Sequence, residues 1–212
     1  LPICIPAGFT GLVGLKSTYG RIPRGPRAQY GNLTVTVGCL TRSVRDTARW
    51  FDAANGHDAR DPLSLPPVHG WERDLGSVPV RGLRVAVVPD WGGAVVSPAM
   101  WEVLLAATEH LIGSAGLVRV DGVDTALPRM GAAWSISGNL GVAALLGDRW
   151  PACAEQLTPE MRAGMEMASG LYNSEARAKL EARRAMFNER MAQIFDEVDL
   201  VINTPMGLDL LD

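Results

Sequence analysis

Hydrophobic and polar positions follow short-range patterns in the first part of this 212-residue chain. Residues 32–37 alternate, with Leu33, Val35 and Val37 set against two threonines, which predicts a strand with one buried face. Across residues 1–38, glycines interrupt short apolar runs, and this punctuation predicts short strands and tight turns. The glycines concerned are Gly8, Gly11, Gly14 and Gly20.

The spacing of apolar residues becomes helical after Ser43. Ser43 and Asp46 resemble a capping box, and apolar residues then recur at helical intervals until Gly56. We therefore predict a helix of about three turns. Residues 57–80 are rich in proline and glycine, which indicates a long surface connection with no regular element.

A strand–helix–strand pattern follows in residues 81–126. Residues 83–89 predict a strand, Ser97 and Pro98 begin a helix, and residues 117–120 predict a second strand. Such a unit builds parallel sheets. The predicted inner face of the helix consists of Trp101, Leu104, Leu105, Thr108, Leu111, Ile112 and Ala115.

Residues 127–197 form a predicted helical region, with helix starts at Thr158 and Asn173. The last helix, about residues 174–196, is long and amphipathic. Its predicted buried stripe consists of Ala178, Ala182, Met186, Met191 and Phe195. It leads into a late strand at residues 199–203. The element order predicts an α/β fold, with a mixed, mostly parallel sheet covered by helices.

The two ends of the sequence carry an expectation of their own. The chain opens at Leu1 and enters an apolar stretch at once, and its final residues follow directly on the predicted late strand. We therefore expect an internal piece of a larger enzyme, in which the sheet is incomplete.

Composition narrows the function classes. The formal net charge is −3 and no basic run occurs, which argues against nucleic acid or an anionic membrane surface as partner. No apolar run reaches the length of about 20 residues that a membrane span requires. Three widely spaced cysteines without a metal-ligand pattern favour a reduced cytoplasmic protein and indicate neither metal nor cofactor. A small-molecule substrate fits best.

The stretch from Ile5 to Pro23, IPAGFTGLVGLKSTYGRIP, carries the most specific signal. It resembles the amidase signature family, whose members have a motif close to GGSIRIPAxxxGxxGLKPTYGR. Three further stretches resemble that family in the same order: 38–46, 81–87 and 199–205. Together they extend over nearly the whole chain and divide it into parts. The expected parts of one partial domain, 1–212, are signature strands and a helix (1–56), a connection (57–80), a strand–helix–strand unit (81–126), a variable helical region (127–197) and a late strand (198–212).

The resemblance implies a catalytic mechanism at an amide bond. The family uses a Ser nucleophile, a second Ser held through a cis peptide and an upstream Lys as the ultimate base, and backbone N–H groups form the oxyanion hole. The Lys and the second Ser lie upstream of the motif. The nucleophile falls at Pro2, which has no hydroxyl, and the family Arg after it falls at Cys4. The resemblance therefore assigns no catalytic residue to this chain.

Two explanations of Pro2 stay open: a corrupted start of the sequence, or a gene that has lost its nucleophile. Three functions follow. The first is that the chain is part of an amidase that cleaves the C–N bond of a linear carboxamide, and that it is inactive alone, as the resemblance implies. The first alternative is a catalytically dead remnant or scaffold protein. The second is an amidotransferase A-type subunit, which works on charged tRNA with partner subunits.

Other reactive residues have simpler interpretations. Lys16 and Ser17 are adjacent, and adjacent side chains on a strand point to opposite faces, so a catalytic dyad is not predicted. Cys4 is expected to be a small buried residue. The resemblance implies that the variable helical region walls the acyl pocket, which makes Met130, Trp134 and Tyr172 candidates for contact with a small amide substrate. Core packing is the alternative for them. A homodimer is a further expectation.

Overall fold

The computed structural model describes residues 3–25, 36–128 and 133–204. Six α-helices lie within these ranges, and two single 3₁₀ turns, Gly147–Arg149 and Ala154–Gln156, follow the fourth. The helices are α1 (Cys4–Thr10), α2 (Val44–Ala54), α3 (Pro98–Ala115), α4 (Ala133–Leu146), α5 (Pro159–Leu171) and α6 (Ser174–Glu197).

Five short strands form two sheets in the described residues. The strands are β1 (Val13–Gly14), β2 (Leu40–Thr41), β3 (Arg84–Val87), β4 (Val118–Arg119) and β5 (Leu200–Ile202). β1 and β2 pair antiparallel, whereas β4, β3 and β5 form a parallel sheet in that order. The α/β class and the predominance of parallel pairing are confirmed.

The helix α1 corrects the prediction of strands in the first part of the chain. Pro6 is tolerated there because it lies in the first turn, where its missing N–H would have no helical partner. Gly11 ends the helix in the left-handed conformation, with φ 65°, and its N–H donates to the carbonyl of Ala7. A glycine that we interpreted as a turn between strands is therefore a helix C-cap.

The helix α2 begins as predicted. Ser43 is its N-cap, and the Ser43 hydroxyl accepts from the backbone N–H of Asp46 and donates to the Asp46 carboxylate. The helix ends at Ala54 with Asn55 as C-cap, one residue before the predicted glycine. Of the strand predicted at 32–37, residues 32–35 lie outside the described residues, while Thr36 and Val37 are not in a strand. The strand that the structure shows in this part of the chain is β2, at Leu40–Thr41.

The three-stranded sheet has the most deeply buried strand at its centre. Val85 and Ala86 of β3 are 0% and 1% exposed. Val85 pairs with Arg119 on β4 and with Leu200 on β5. The predicted inner face of α3 is confirmed in most positions, with Thr108 buried, but Leu111 is exposed. Apolar residues occur all round this helix, so the sequence pattern alone did not show that Leu111 lies on the exposed face.

The chain divides into two compact units. The first contains residues 1–123 and 198–212, and the second contains residues 124–197. The predicted helical region 127–197 lies within the second unit. The assignment of all 212 residues to one partial domain stays a prediction.

Within the second unit, α4 and α5 pack closely. A Cβ on Gly164 of α5 would lie 2.8 Å from the side-chain nitrogen of Asn139 on α4, which shows how near the helices approach. Met165 and Ala168 of α5 are completely buried.

The buried face of α6 differs from the predicted stripe. Leu180 and Ile194 are buried, whereas Met186 and Phe195 are 57% and 43% exposed. Met191 is the only residue of the predicted stripe that is half-buried. The helix carries apolar residues on more than one side. The periodicity therefore predicted the helix correctly but the wrong buried face.

Candidate functional site

The signature motif folds into α1 and β1, which approach each other through glycine. A Cβ on Gly14 would lie 2.6 Å from the Cβ of Ala7 and 3.0 Å from the carbonyl oxygen of Ile3. Ala7 is buried at this contact, with 5% exposure. Gly38 makes a similar approach, because a Cβ there would lie 2.6 Å from the carbonyl oxygen of Leu15. The motif's glycines therefore allow close packing of its own backbone.

The position that the resemblance assigns to the nucleophile, Pro2, lies outside the described residues. Cys4 lies in the first turn of α1 and is half-buried. It is thus on a helix and not on the strand that we expected. The catalytic assignment, which depends on Pro2, stays a prediction.

Lys16 and Ser17 do not form a catalytic pair. The Lys16 ammonium group donates to the backbone carbonyl of Ser17 at 3.0 Å. The hydroxyl of Ser17 is buried and donates to the carbonyl of Val37 at 3.2 Å, which ties the signature segment to the chain before β2. The Ser17 hydroxyl thus donates its proton to a backbone carbonyl, and we assign Ser17 a structural role.

The connection of residues 57–80 has no helix or strand, as predicted, but side chains fix it at two places. The first is the carboxylate of Asp52 on α2, which accepts from the backbone N–H groups of Gly70, Trp71 and Glu72 at 2.8–2.9 Å. These bonds, above all the one from Glu72, lower the pKa of Asp52.

Two further contacts hold this part of the connection to α2. The Arg49 guanidinium donates to both carboxylate oxygens of Glu72, at 2.9 and 2.6 Å, and this bidentate pairing lowers the pKa of Glu72. The rings of Trp71 and Phe51 lie 5.9 Å apart, centroid to centroid. Sequence reasoning missed this arrangement because carboxylate-to-backbone bonds across 20 residues leave no periodic signal.

The second fixing point is Asp61, a buried carboxylate with 4% exposure that the sequence did not single out. One of its oxygens accepts from the backbone N–H of Arg24 at 2.8 Å, and the other accepts from that of Leu63 at 3.1 Å. Asp61 therefore joins the connection to the segment that follows the signature motif.

Ser64 and His57 form a second pair that resembles a nucleophile and its base. The Ser64 hydroxyl lies 3.0 Å from His57 Nδ1. It also lies 2.8 Å from the carbonyl of Asp61 and 3.1 Å from the carbonyl of Asp58, two acceptors that compete for its proton. The hydroxyl also accepts the backbone N–H of Asp58 at 3.1 Å. These bonds organise a turn, so we assign the pair a structural role.

The substrate-binding candidates are not brought together by the described residues. Met130 lies outside them, and Trp134 lies in α4 with its side chain outside the described part. Tyr172 is the C-cap of α5 and is 36% exposed. All three stay predictions.

The second unit also carries an open groove of about 480 Å³, which does not include Tyr172. Its lining consists of Ala126, Leu127, Pro128, Met186, Glu189, Arg190 and Gln193. The guanidinium of Arg190 pairs with the Asp124 carboxylate at 2.8 Å and donates to the carbonyl of Ala126 at 3.2 Å. Its charge is therefore already matched by a carboxylate.

Residues 3–25, 36–128 and 133–204 contain neither a candidate membrane span nor a candidate metal site. No helix in these ranges is both long and apolar enough to cross a membrane. No group of three His, Cys, Asp or Glu side chains in the same ranges is placed to hold a metal ion.

Sequence comparison places the chain in a family. The profile of the Amidase family matches residues 3–208, nearly the full length. The A-type subunit of glutamyl-tRNA(Gln) amidotransferase from Heliobacterium modesticaldum is 36% identical over 106 residues, which cover 50% of this chain and 22% of that protein. Its counterpart from Oleidesulfovibrio alaskensis is 44% identical over 94 residues, 43% of this chain and 19% of that protein. The matches thus span about a fifth of these relatives.

Solved structures show the same fold over most of the chain. A bacterial aryl acylamidase of the amidase signature family superposes with a TM-score of 0.73 and 20% identity, covering 93% of this chain and 42% of its own. A vestigial protein complex related to the origins of an s-triazine catabolic enzyme gives a TM-score of 0.74 and 21% identity, covering 98% and 44%.

The A-type subunit of glutamyl-tRNA(Gln) amidotransferase from Thermotoga maritima gives a TM-score of 0.61 and 20% identity, covering 92% of this chain and 42% of its own. This chain spans less than half the length of each of these structures. The fold is therefore that of the amidase signature enzymes, present in part. The chain belongs to the amidase family.

Proposed function

We propose that this chain is part of an amidase that cleaves the C–N bond of a linear carboxamide, and that the chain alone is inactive. The observation that carries the proposal is the signature motif of residues 5–23, with Pro2 at the position of the nucleophile. A proline has no hydroxyl to attack a carbonyl and no backbone N–H to stabilise an oxyanion.

The fold supports the first half of this proposal. The family match extends from residue 3 to residue 208, and the signature segment is closely packed, with buried Ala7 and Ser17. A Ser nucleophile requires a base to remove its proton. The Lys16 ammonium group donates to a backbone carbonyl, and the Ser17 hydroxyl is likewise engaged, so this pair does not replace the missing groups.

The test of inactivity uses the purified 212-residue chain. We expect that the chain does not release ammonia from benzamide, or 4-nitroaniline from 4-nitroacetanilide, faster than the uncatalysed reaction. We also expect no labelling by a fluorophosphonate probe. The Pro2→Ser variant is the control, and it is expected to stay inactive because one hydroxyl without its base is a poor nucleophile. Turnover or probe labelling by the unsubstituted chain would overturn the proposal.

The test of the larger assignment is the DNA upstream of the Leu1 codon. An amidase predicts an encoded Lys, a Gly/Ser-rich loop and a GGS turn there, and a longer product that hydrolyses simple carboxamides. A remnant or scaffold protein, the alternative that Pro2 and Cys4 motivate, predicts a longer product without hydrolysis or probe labelling.

A second candidate function is that of an amidotransferase A-type subunit. Its support is the identity to A-type subunits of glutamyl-tRNA(Gln) amidotransferase, 36% to 44% over about half of this chain in the two relatives above. Affinity purification of the tagged protein from its native cell tests this. Recovery of stoichiometric partner subunits with glutamine-dependent amidation of charged tRNA is expected for such a subunit. Free carboxamide hydrolysis without partners is expected for an amidase.

A further inference from the structure

The segment Gly20–Gly25, which includes the last four residues of the signature motif, is bound by a second segment about 40 residues later, Asp58–Pro66. The N–H of Leu65 donates to the carbonyl of Gly20 at 2.9 Å. The N–H of Arg24 donates to the Asp61 carboxylate at 2.8 Å. The guanidinium of Arg21 donates to the carbonyl of Pro66 at 3.0 Å. Three bonds from different residues thus join the two segments.

At two glycine positions, the two segments also approach too closely to leave room for a side chain. A Cβ on Gly20, whose φ is 78°, would lie 2.1 Å from the carbonyl oxygen of Leu63. A Cβ on Gly25 would lie 2.4 Å from a carboxylate oxygen of Asp58. Real Cβ atoms do not approach backbone oxygen so closely, so glycine is required at Gly20 if the segments are to meet.

The segment Asp58–Pro66 also contains hydrogen bonds of its own. The Ser64 hydroxyl accepts the N–H of Asp58 and lies 2.8 Å from the carbonyl of Asp61. Arg60 donates from its side chain and its backbone to Asp58, and these bonds lower the pKa of Asp58 to about 2. Hydrogen bonds within the segment therefore connect Asp58, Arg60, Asp61 and Ser64 to one another.

Asp61 belongs to both sets of bonds. One oxygen holds Leu63 within its own segment, and the other holds Arg24 across the contact. Charge-assisted bonds from a carboxylate to backbone N–H groups are stronger than neutral ones, and their loss leaves two part-buried donors without this partner. Asp61 is 4% exposed, so water does not replace it readily.

We propose that Asp58–Pro66 is a clasp that closes on Gly20–Gly25 as a single body, and that Asp61 holds it closed. The clasp fixes the end of the signature motif and the two residues that follow it, from Gly20 to Gly25. The clasp does not depend on amide chemistry and is expected whether or not the protein has amidase activity.

Hydrogen exchange of individual amides, followed by two-dimensional NMR, tests the clasp. In Asp61→Asn, we expect the amides of Arg24, Leu63 and Leu65 to exchange together, at least about tenfold faster. Leu65 is the decisive amide because it donates to Gly20 and not to Asp61. If Leu65 stays protected while the other two exchange faster, the bonds open independently and the proposal is wrong.

Asp52→Asn is the matched control, since Asp52 also accepts several backbone N–H groups. It should speed exchange at Gly70, Trp71 and Glu72 and leave Leu65 within about twofold. Equal acceleration of Leu65 would show general destabilisation and contradict a separate clasp.

A second variant covers the case in which Asp61→Asn does not fold. Gly20→Ala removes no bond to Asp61 but obstructs the contact with Leu63. The clasp predicts faster exchange at Arg24 and Leu63 in this variant as well. Unchanged protection of both amides would overturn the proposal.

Discussion

Different interactions stabilise each of the two compact units of this chain. In the first, carboxylates fix loops by accepting backbone N–H groups, as Asp52, Asp61 and Asp90 do. In the second, charged side chains form mostly exposed ion pairs, while a few large apolar residues such as Met165 and Ile194 are completely buried. Irregular backbone needs polar partners, whereas helices satisfy their own backbone bonds and rely on packing.

The loop after β3 illustrates the first kind of interaction. The Asp90 carboxylate accepts from the backbone N–H groups of Gly92, Gly93 and Ala94, and these bonds lower the pKa of Asp90. Asp199 makes a related contact at the other end of β3, where it accepts from the Arg84 backbone and side chain. One carboxylate therefore holds the start of the central strand, and another organises the loop that follows the strand.

The largest expected effect tests packing in the second unit. Met165→Ala removes a side chain with 0% exposure and should lower the free energy of unfolding by about 2–5 kcal/mol, because it leaves a cavity. Met167→Ala, on the same helix with 43% exposure, is the control and should cost less than about 1 kcal/mol. Urea denaturation followed by circular dichroism measures both. Equal losses would mean that α5 is not held by packing at Met165.

A somewhat smaller effect tests backbone fit in the first unit. Gly20→Ala should cost about 2–4 kcal/mol, because it adds a left-handed backbone penalty to a clash with the Leu63 carbonyl. Gly76→Ala has a similar φ of 83° but open space around the added Cβ, so it should cost only about 1–2 kcal/mol. Thermal and urea unfolding give the comparison. Equal costs would show that strain alone matters at Gly20.

Helix capping should contribute equally in both units. Ser43 accepts from the N–H of Asp46 and Thr158 accepts from that of Met161. Ser43→Ala and Thr158→Ala should each cost about 1 kcal/mol of unfolding free energy. Ser43→Thr keeps an acceptor and should retain most of the stability. Chemical denaturation of the three variants measures these differences, and a Ser43→Ala variant as stable as the parent would contradict the capping role.

Acid should weaken the first unit through Asp52. Its folded-state pKa lies below the unfolded value of about 3.9, so its contribution is present above that pH and is lost as the pH falls through the folded-state pKa. Asp58, with a pKa of about 2, adds to the loss over the range from roughly pH 4 to pH 2.

Urea midpoints at a series of pH values measure this loss, and Asp52→Asn should flatten the dependence. An Asp52→Asn variant with the parent's pH dependence would show that other groups dominate.

The smallest effect concerns an exposed ion pair of the second unit. Glu175 and Lys179 are one helical turn apart on α6, with side chains 74% and 69% exposed. Lys179→Ala should change the free energy of unfolding by less than about 0.5 kcal/mol, and salt at about 0.5 M should remove the difference. Urea denaturation with and without salt measures it. A loss above about 1 kcal/mol would mean that exposed pairs matter more in this unit than its packing indicates.

Several elements could be predicted from local pattern because their cause is local. Ser43 and Asp46 define the start of α2, and the Ser97–Pro98 and Thr158–Pro159 pairs define the starts of α3 and α5. The strands β3, β4 and β5 lie within the predicted ranges. The rotation of α6 could not be predicted, since Met186 and Leu180 are both apolar and only the neighbouring structure decides which one is covered.

The signature segment shows the same limit within the motif itself. Its sequence identifies the family, yet the same sequence predicts turns at Gly11 and Gly14. Gly11 ends a helix, and Gly14 allows β1 to approach that helix. These roles require a positive φ or a close neighbour, and neither can be inferred from the presence of a glycine in the sequence.

The sequence by itself determined the family and the α/β class, because motif identity and hydrophobic period are local properties of the chain. The tertiary structure decided that Asp52 and Asp61 hold the irregular connection and that α6 buries Leu180 and Ile194. These are contacts between residues distant in sequence, and their energy depends on burial and geometry that only the folded chain defines.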